Sequence, residues 1–397
     1  MTSNNTFIQP SDRIAPFKPY YFASLNQKIA ALKEQGRDII RIDIGAPDMP
    51  PPDFIIQAMV ASAQRSDTHS YGPIGGPAEF KRAVSEYYLH RYGVRLDPQS
   101  QILALIGSKE GIFHLSQVLI NPGDIALVPD PGYPIYISSV KIAGGMTYPM
   151  PLLRENSYLP DFDRIPEDIA RRAKILWLNY PSNPTGAVAS LDFFEQAVSF
   201  ARRYNLVVVN DAPYTDVCFD SYKAPSILQV RGADEIAVEF NSLTKTFNMA
   251  GWRLGMVCGN PQVIAYLHTY KSQVDSSSFA PLFAGGIAAL TGDQQWLVER
   301  NRIYQQRRDM IITTLRGNGF SVDTPRAAIY VWARLPQQFT DAFSFAERLL
   351  EAEGVSITPG DIYGEHGKGH IRISLGAPTD RIEEAMQRLA GWVSKTN

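Results

Sequence analysis

Between residues 102 and 259, short apolar runs alternate with longer amphipathic stretches, and this alternation narrows the fold more than any other feature of the chain. The runs are ILALI (102–106), DIALVPD (124–130), KILWLNY (174–180), NLVVVND (205–211), EIAVEFN (235–241) and RLGMVCG (253–259). Each has the length of a strand. SKEGIFHLSQVLI, which follows the first run, carries helical spacing instead. Strands separated by helices build β-α units, so an α/β fold with a largely parallel sheet is expected.

The pattern changes near residue 290. QQWLVERNRIYQQRRDMIITTLRGNGF places apolar residues at helical spacing among charges, and Gly317 and Gly319 close it. AIYVWARL (328–335) and HIRISLG (370–376) then read as strands, FSFAERLLEAEG and DRIEEAMQRLAGWV as helices. The expected division is a large domain over residues 46–289 and a smaller α/β domain formed by 1–45 and 290–397.

Composition removes several classes of function. The 38 Lys and Arg nearly cancel the 40 Asp and Glu, so no long-range field draws in nucleic acid or an anionic membrane. No apolar run approaches the roughly 20 residues that span a bilayer, and MTSNNTFIQPSDRIAPF lacks the basic and apolar blocks of a signal peptide. Cys218 and Cys258 lie inside mixed apolar segments, which suits a reducing compartment and excludes a disulfide framework. The histidines show no metal spacing such as H-E-x-x-H, and no metal is assigned. The expectation is a soluble cytoplasmic protein.

In an open α/β sheet a ligand sits beyond the carboxyl ends of the parallel strands, so residues just after each apolar run are site candidates. ILALI leads into Gly107, Ser108 and Lys109 at the start of a helix, where free backbone N–H groups and the helix dipole favour an anion. Tyr133 follows the second run and Asn183 the third, Asp211 and Tyr214 come at the end of the fourth, and Ser242 with Lys245 after the fifth. Arg253 stands at the start of its run, yet an antiparallel RLGMVCG strand would begin on that same edge. A helix N-terminus with serine hydroxyls and an arginine suits a phosphate, and a nucleophilic lysine suits a Schiff base. A carboxylate at a strand end can hold a pyridinium proton, Tyr133 can stack on a ring, and Asn183 with Tyr214 can hydrogen-bond a ring hydroxyl. Together these describe pyridoxal phosphate.

Over nearly its whole length the chain also resembles the class I aminotransferases of fold type I. That family's S-x-x-K and G-x-R-x-G appear as Ser242, Lys245, Gly251, Arg253 and Gly255, its N-P-T-G as Asn183 to Gly186, and its D-x-x-Y as Asp211 and Tyr214. DIGAPDMPPP looks like the family's substrate-binding glycine loop, with Gly45, and GHIRISLG carries Arg372 where the family grips the substrate α-carboxylate. YGPIGGPAEFKRAV looks like the segment that lends a tyrosine, here Tyr71, to the neighbouring subunit's cofactor phosphate. The resemblance implies a pyridoxal-phosphate-dependent transferase with a mostly parallel seven-stranded sheet, working as a homodimer with shared sites. It also implies that Lys245 is the Schiff-base lysine and proton carrier and that Asp211 pairs with the ring nitrogen. GSKEGIFHL, PDPGYPIY and NDAPYTDVCFD are most similar to the LL-diaminopimelate aminotransferase group and its aspartate and alanine relatives. In the plant-type diaminopimelate enzymes a glutamate stands three residues after the tyrosine matched by Tyr71; here Ile74 occupies that place and accepts no hydrogen bond from an ammonium.

Each candidate also has a plainer role. Ser108 and Ser242 can cap helices, Asp211, Asn183 and Tyr133 can serve turns and loop packing, Gly45 and Tyr71 sit in common loop chemistry, and Arg372 can face solvent. Aromatic aminotransferases, carbon-sulfur β-lyases and aminocyclopropane carboxylate synthases share the scaffold. A nucleotide-binding protein is disfavoured, because GSKEG is not G-x-x-x-x-G-K-[ST] and no G-x-G-x-x-G follows a first strand.

Overall fold

The computed structural model describes residues 8–17 and 21–396; residues 1–7, 18–20 and 397, all within the expected smaller domain, lie outside it. In chain order the strands are β1 (Ile40–Arg41), β2 (Ile102–Leu105), β3 (Ile125–Asp130), β4 (Met146–Pro151), β5 (Ala173–Leu178), β6 (Val207–Asp211), β7 (Ala237–Ser242), β8 (Gly255–Gly259), β9 (Ser321–Val322), β10 (Tyr330–Arg334), β11 (Val355–Ser356), β12 (Thr358–Pro359) and β13 (His370–Ser374).

Seven of them form the central sheet, in the order β2-β8-β7-β6-β5-β3-β4. β8 is antiparallel to β2 and β7, whereas the pairs from β7 across to β4 are parallel. Apart from the edge strand β4, the sheet is buried on both faces, which is why its strands read as unbroken apolar runs. Alternate residues divide between two cores: Leu176, Leu178, Val208 and Ala237 face one way, and Ile175, Trp177, Val209 and Val238 face the other.

One strand of the central sheet escaped the sequence reading, as did the two-residue strands β1, β9, β11 and β12 outside it. β4, MTYPMP, carries two prolines and little apolar continuity, features that argue against a strand. It lies at the edge and pairs only with β3, from Ile125↔Met146 to Asp130↔Pro151, and an edge strand has one side on which a missing N–H costs nothing.

β12, β13, β10 and β9 make a second, antiparallel sheet, while β1 and β11 pair in parallel. Its core gathers Ile329, Val331, Ile371 and Ile373 with Ile311, Ile312 and Leu315 of the helix Trp296–Gly317. Tyr214, Val217 and Phe219, which follow β6, join that core and seat the second sheet beside the carboxyl edge of the first. The residues after β1 run between β11 and β13: Ile42 N donates to Ser356 O at 3.1 Å and Ser374 N to Ile42 O at 2.8 Å, so Gly45 arrives at the junction.

Candidate active site

A cavity of about 530 Å³ lies at this junction and is lined by residues of both sheets. Lys245 stands just past β7, in the short helix Leu243–Thr246 whose N-cap is Ser242. Its Nζ donates to the Gly45 carbonyl. Burial, reinforced by Arg372 and Arg253 and opposed by Asp211, lowers the Lys245 amine to about 7. Near neutral pH a large share of this lysine is therefore the uncharged, nucleophilic amine.

Asp211 closes β6 from across the cavity. Its Oδ2 accepts a 2.6 Å bond from the Tyr136 hydroxyl, and its Oδ1 is buried with no partner. Burial pushes this carboxyl up to about 7, against the Tyr136 bond and the nearby Lys245, both of which favour the anion. A second donor at Oδ1 is what the carboxylate lacks.

Arg372, in the middle of β13, is buried. Its Nη1 donates to Asn183 Oδ1 at 2.9 Å and its Nη2 to the Asp43 carbonyl at 2.7 Å, while Nε has no partner. The guanidinium lies 4.2 Å from the Tyr330 ring centroid and 5.2 Å from that of Tyr363. Asn183 is held in turn by Asn179, whose Oδ1 accepts the Asn183 N–H at 2.8 Å and whose Nδ2 donates to the Asp211 carbonyl at 2.6 Å. The Tyr214 and Tyr330 hydroxyls are 2.7 Å apart.

At the opposite end, the helix Ser108–Leu119 begins at Gly107, whose φ of 75° is left-handed. Ser108, Lys109 and Arg253 line the cavity there. Lys109 Nζ lies 5.9 Å from the Tyr133 ring centroid, and burial beside Arg253 lowers its pKa. A Cβ on Gly107 would collide with the Arg253 guanidinium.

The family model of class I and II aminotransferases matches residues 37–389. The chain belongs to that family. It is 49% identical over 388 residues to an LL-diaminopimelate aminotransferase of Moorella thermoacetica, covering 98% of this chain and 99% of the relative. It is 47% identical over 390 residues to an LL-diaminopimelate aminotransferase of Desulforudis audaxviator, at 98% and 99% coverage. Among solved structures, substrate-bound BacF of Bacillus subtilis superposes with a TM-score of 0.94 at 36% identity, covering 98% of both chains. The chain is thus an aminotransferase enzyme of the α/β fold seen in that family, a family that generally depends on pyridoxal phosphate.

The aminotransferase cavity brings together Gly45, Ser108, Lys109, Tyr133, Asn183, Asp211, Tyr214, Ser242, Lys245, Arg253 and Arg372, with Gly107 just behind Arg253. Tyr71 is not among them; it is 92% exposed on the outside of the chain. Sequence reasoning missed Asn179, Thr244, Tyr330 and Tyr363, which also line the cavity. Asn179 was findable, since it stands just after β5 by the same strand-end rule that found Asp211. Tyr330 and Tyr363 come from the second sheet and the turn beside it, where nothing local marks which residues face the first.

Gly107→Ala is expected to weaken the anion end selectively. The added methyl displaces the Arg253 fork and sits at a left-handed φ. Phosphate-dependent uptake of pyridoxal phosphate should fall by about 10- to 100-fold, the worth of one charge-assisted contact, while titration with phosphate-free pyridoxal should change little.

No helix among the described residues is long and apolar enough to cross a membrane, and no cluster of metal-ligating side chains occurs among them.

Proposed function

We propose that this aminotransferase holds pyridoxal phosphate in the cavity and exchanges an amino group between LL-diaminopimelate and 2-oxoglutarate. One observation carries the cofactor assignment: a buried carboxylate with an orphaned oxygen shares a cavity with an enclosed lysine of pKa about 7. A pyridinium N–H is a donor that Asp211 Oδ1 can accept, and an aldehyde is the partner of a neutral amine. When bound, the cofactor supplies an electron-poor ring that draws charge from the substrate α-carbon.

The chain's own residues then divide the work. Gly107, Ser108, Lys109, Ser242 and Arg253 hold the phosphate, Tyr133 covers the ring face, and Asn183 with Tyr214 bond the ring hydroxyl. Arg372 binds the substrate α-carboxylate, for which Nε and the second hydrogens on Nη1 and Nη2 remain, and Gly45 allows the close approach. Lys245 Nζ takes the proton from the substrate α-carbon and returns it, because an amine near pKa 7 does both at neutral pH.

The same reading assigns residues 46–289 to a cofactor-carrying domain and 1–45 with 290–397 to a smaller one, supported by the separate cores of the two sheets. It makes the enzyme a cytoplasmic homodimer in which Tyr71 serves the neighbouring site, supported by that residue's exposure away from its own cavity. A sedimentation mass of 44.2 kDa, that of one chain, would remove the dimer.

For the substrate, the names borne by the Moorella and Desulforudis relatives favour diaminopimelate. Ile74 requires the distal ammonium to be met by groups other than a side chain at that position. The purified protein should turn over LL-diaminopimelate with 2-oxoglutarate at least about tenfold more efficiently, by kcat/KM, than aspartate, alanine or phenylalanine; tenfold is a 1.4 kcal/mol preference, within reach of one hydrogen bond. Turnover confined to neutral amino acids overturns the diaminopimelate assignment and leaves the chemistry standing.

A further inference from the structure

Tyr136 is a fully buried tyrosine to which the proposed chemistry gives no task. It belongs to the helix Ile135–Ile142, one turn beyond Tyr133, and its ring stacks on Trp177 with centroids 5.2 Å apart and planes at 22°. The ring needs no hydroxyl to pack there, and a buried hydroxyl is costly unless it is bonded. This one donates to Asp211 Oδ2 at 2.6 Å.

The bond divides the two carboxylate oxygens. Oδ2 is taken and Oδ1 is left without a partner, so the carboxylate has one oxygen to offer and a fixed plane in which to offer it. The Asp211 backbone is pinned as well: its carbonyl accepts from Asn179 Nδ2 at 2.6 Å, and the next N–H, of Ala212, donates to the Phe240 carbonyl at 2.8 Å. Besides Tyr136, the titratable groups that act on Asp211 are Lys245 and Tyr214, and Tyr133 lies beside Tyr136. Among them Tyr136 is the donor bonded to the carboxylate itself.

We propose that Tyr136 is a positioning residue that turns Asp211 Oδ1 toward the cavity and keeps the carboxylate anionic, so that a ring nitrogen bound there holds its proton. This rests on the pyridoxal phosphate reading. The physical step is a competition for one proton between the ring nitrogen and Oδ1. A hydrogen bond into Oδ2 stabilises the anion and makes Oδ1 a poorer base. Without the phenol the carboxylate is the stronger base, the proton moves from nitrogen to Oδ1, and the ring loses the positive charge that makes it draw electrons.

The test compares wild type, Tyr136→Phe and Trp177→Phe, each loaded with pyridoxal phosphate labelled with 15N in the ring. Tyr136→Phe keeps the stacked ring and removes one oxygen, so the fold should survive; a thermal melt checks this. The wild-type nitrogen resonance should lie at the protonated position and that of Tyr136→Phe should move toward the unprotonated one. kcat should fall by about 10- to 100-fold, the worth of one charge-assisted hydrogen bond, with KM within about twofold because substrate contacts are untouched. Trp177→Phe loosens the packing but spares the hydroxyl, and its resonance should stay at the wild-type position. An unmoved resonance in Tyr136→Phe overturns the proposal, as does an equal displacement in Trp177→Phe, which would make packing the cause. Wild-type protein that takes up no pyridoxal phosphate would instead sink the cofactor reading, a distinct outcome visible before any variant is made.

Discussion

Lys245→Ala is expected to reduce turnover by roughly 10⁴-fold or more, since positioned proton transfer alone contributes about 10²- to 10⁴-fold and the covalent attachment point is lost with it. Borohydride treatment of the wild-type protein should fix a pyridoxyl label on the peptide containing residue 245, and the variant should carry none. The reaction has a second signature in its pH dependence. Only the neutral amine attacks an aldehyde, and burial with the Arg372 and Arg253 charges lowers the Lys245 amine to about 7 from an ordinary 10.5. The capture rate of pyridoxal phosphate by apoprotein should therefore climb with pH up to about 7 and then level off. A rate still climbing at pH 9 would mean that the amine is not desolvated as the structure has it. Turnover by Lys245→Ala within tenfold of wild type would remove this residue from the chemistry altogether.

The strands that build this site were legible because the central sheet is covered on both faces. Trp177 and Leu178 look into different cores, yet both must be apolar, so β5 announces itself as a run. Strand ends then marked the polar residues, and even Arg253 fell into place once β8 ran antiparallel. β4 stayed hidden because an edge position tolerates Pro149 and Pro151, which local rules count against a strand.

The helix Trp296–Gly317 shows a different limit. In the sequence its arginines are simply charges set among apolar residues at helical spacing, but Arg300, Arg307 and Arg308 are buried. Arg307 pairs with Asp48 at 2.7 Å and Arg308 with Asp220 at 2.5 Å. Arg300 spends its donors on carbonyls, among them that of Lys245 at 3.1 Å and that of Asp216 at 2.7 Å. Helical periodicity reports which positions share a face, and the partners that let a cation be buried come from segments far away in the chain. Tyr136 and Tyr330 were unreadable for the same reason: their hydroxyls matter through Asp211 and Tyr214, 75 and 116 residues away.

Arg372→Lys is expected to lower kcat/KM by about 10²- to 10⁴-fold for every amino-acid substrate, with most of the loss in KM. The charge is retained, so the loss measures geometry. In the wild-type protein the guanidinium lies over the Tyr330 ring, 4.2 Å from its centroid, and bonds to Asn183 Oδ1 and the Asp43 carbonyl fix its rotation. Its unpartnered Nε is left as part of a planar fork for a carboxylate. A lysine ammonium is one point on a flexible stem and cannot satisfy Asn183, the Asp43 carbonyl and two carboxylate oxygens together. Two charge-assisted hydrogen bonds at about 1.5–3 kcal/mol each give the stated range. The control is a primary amine that lacks the α-carboxylate: wild type and variant should process it with similar, low efficiency, because the group that Arg372 reads is missing from both reactions. If the two enzymes differed as much on that amine as on the amino acids, Arg372 would be acting through the position of Asn183 and not through the substrate carboxylate.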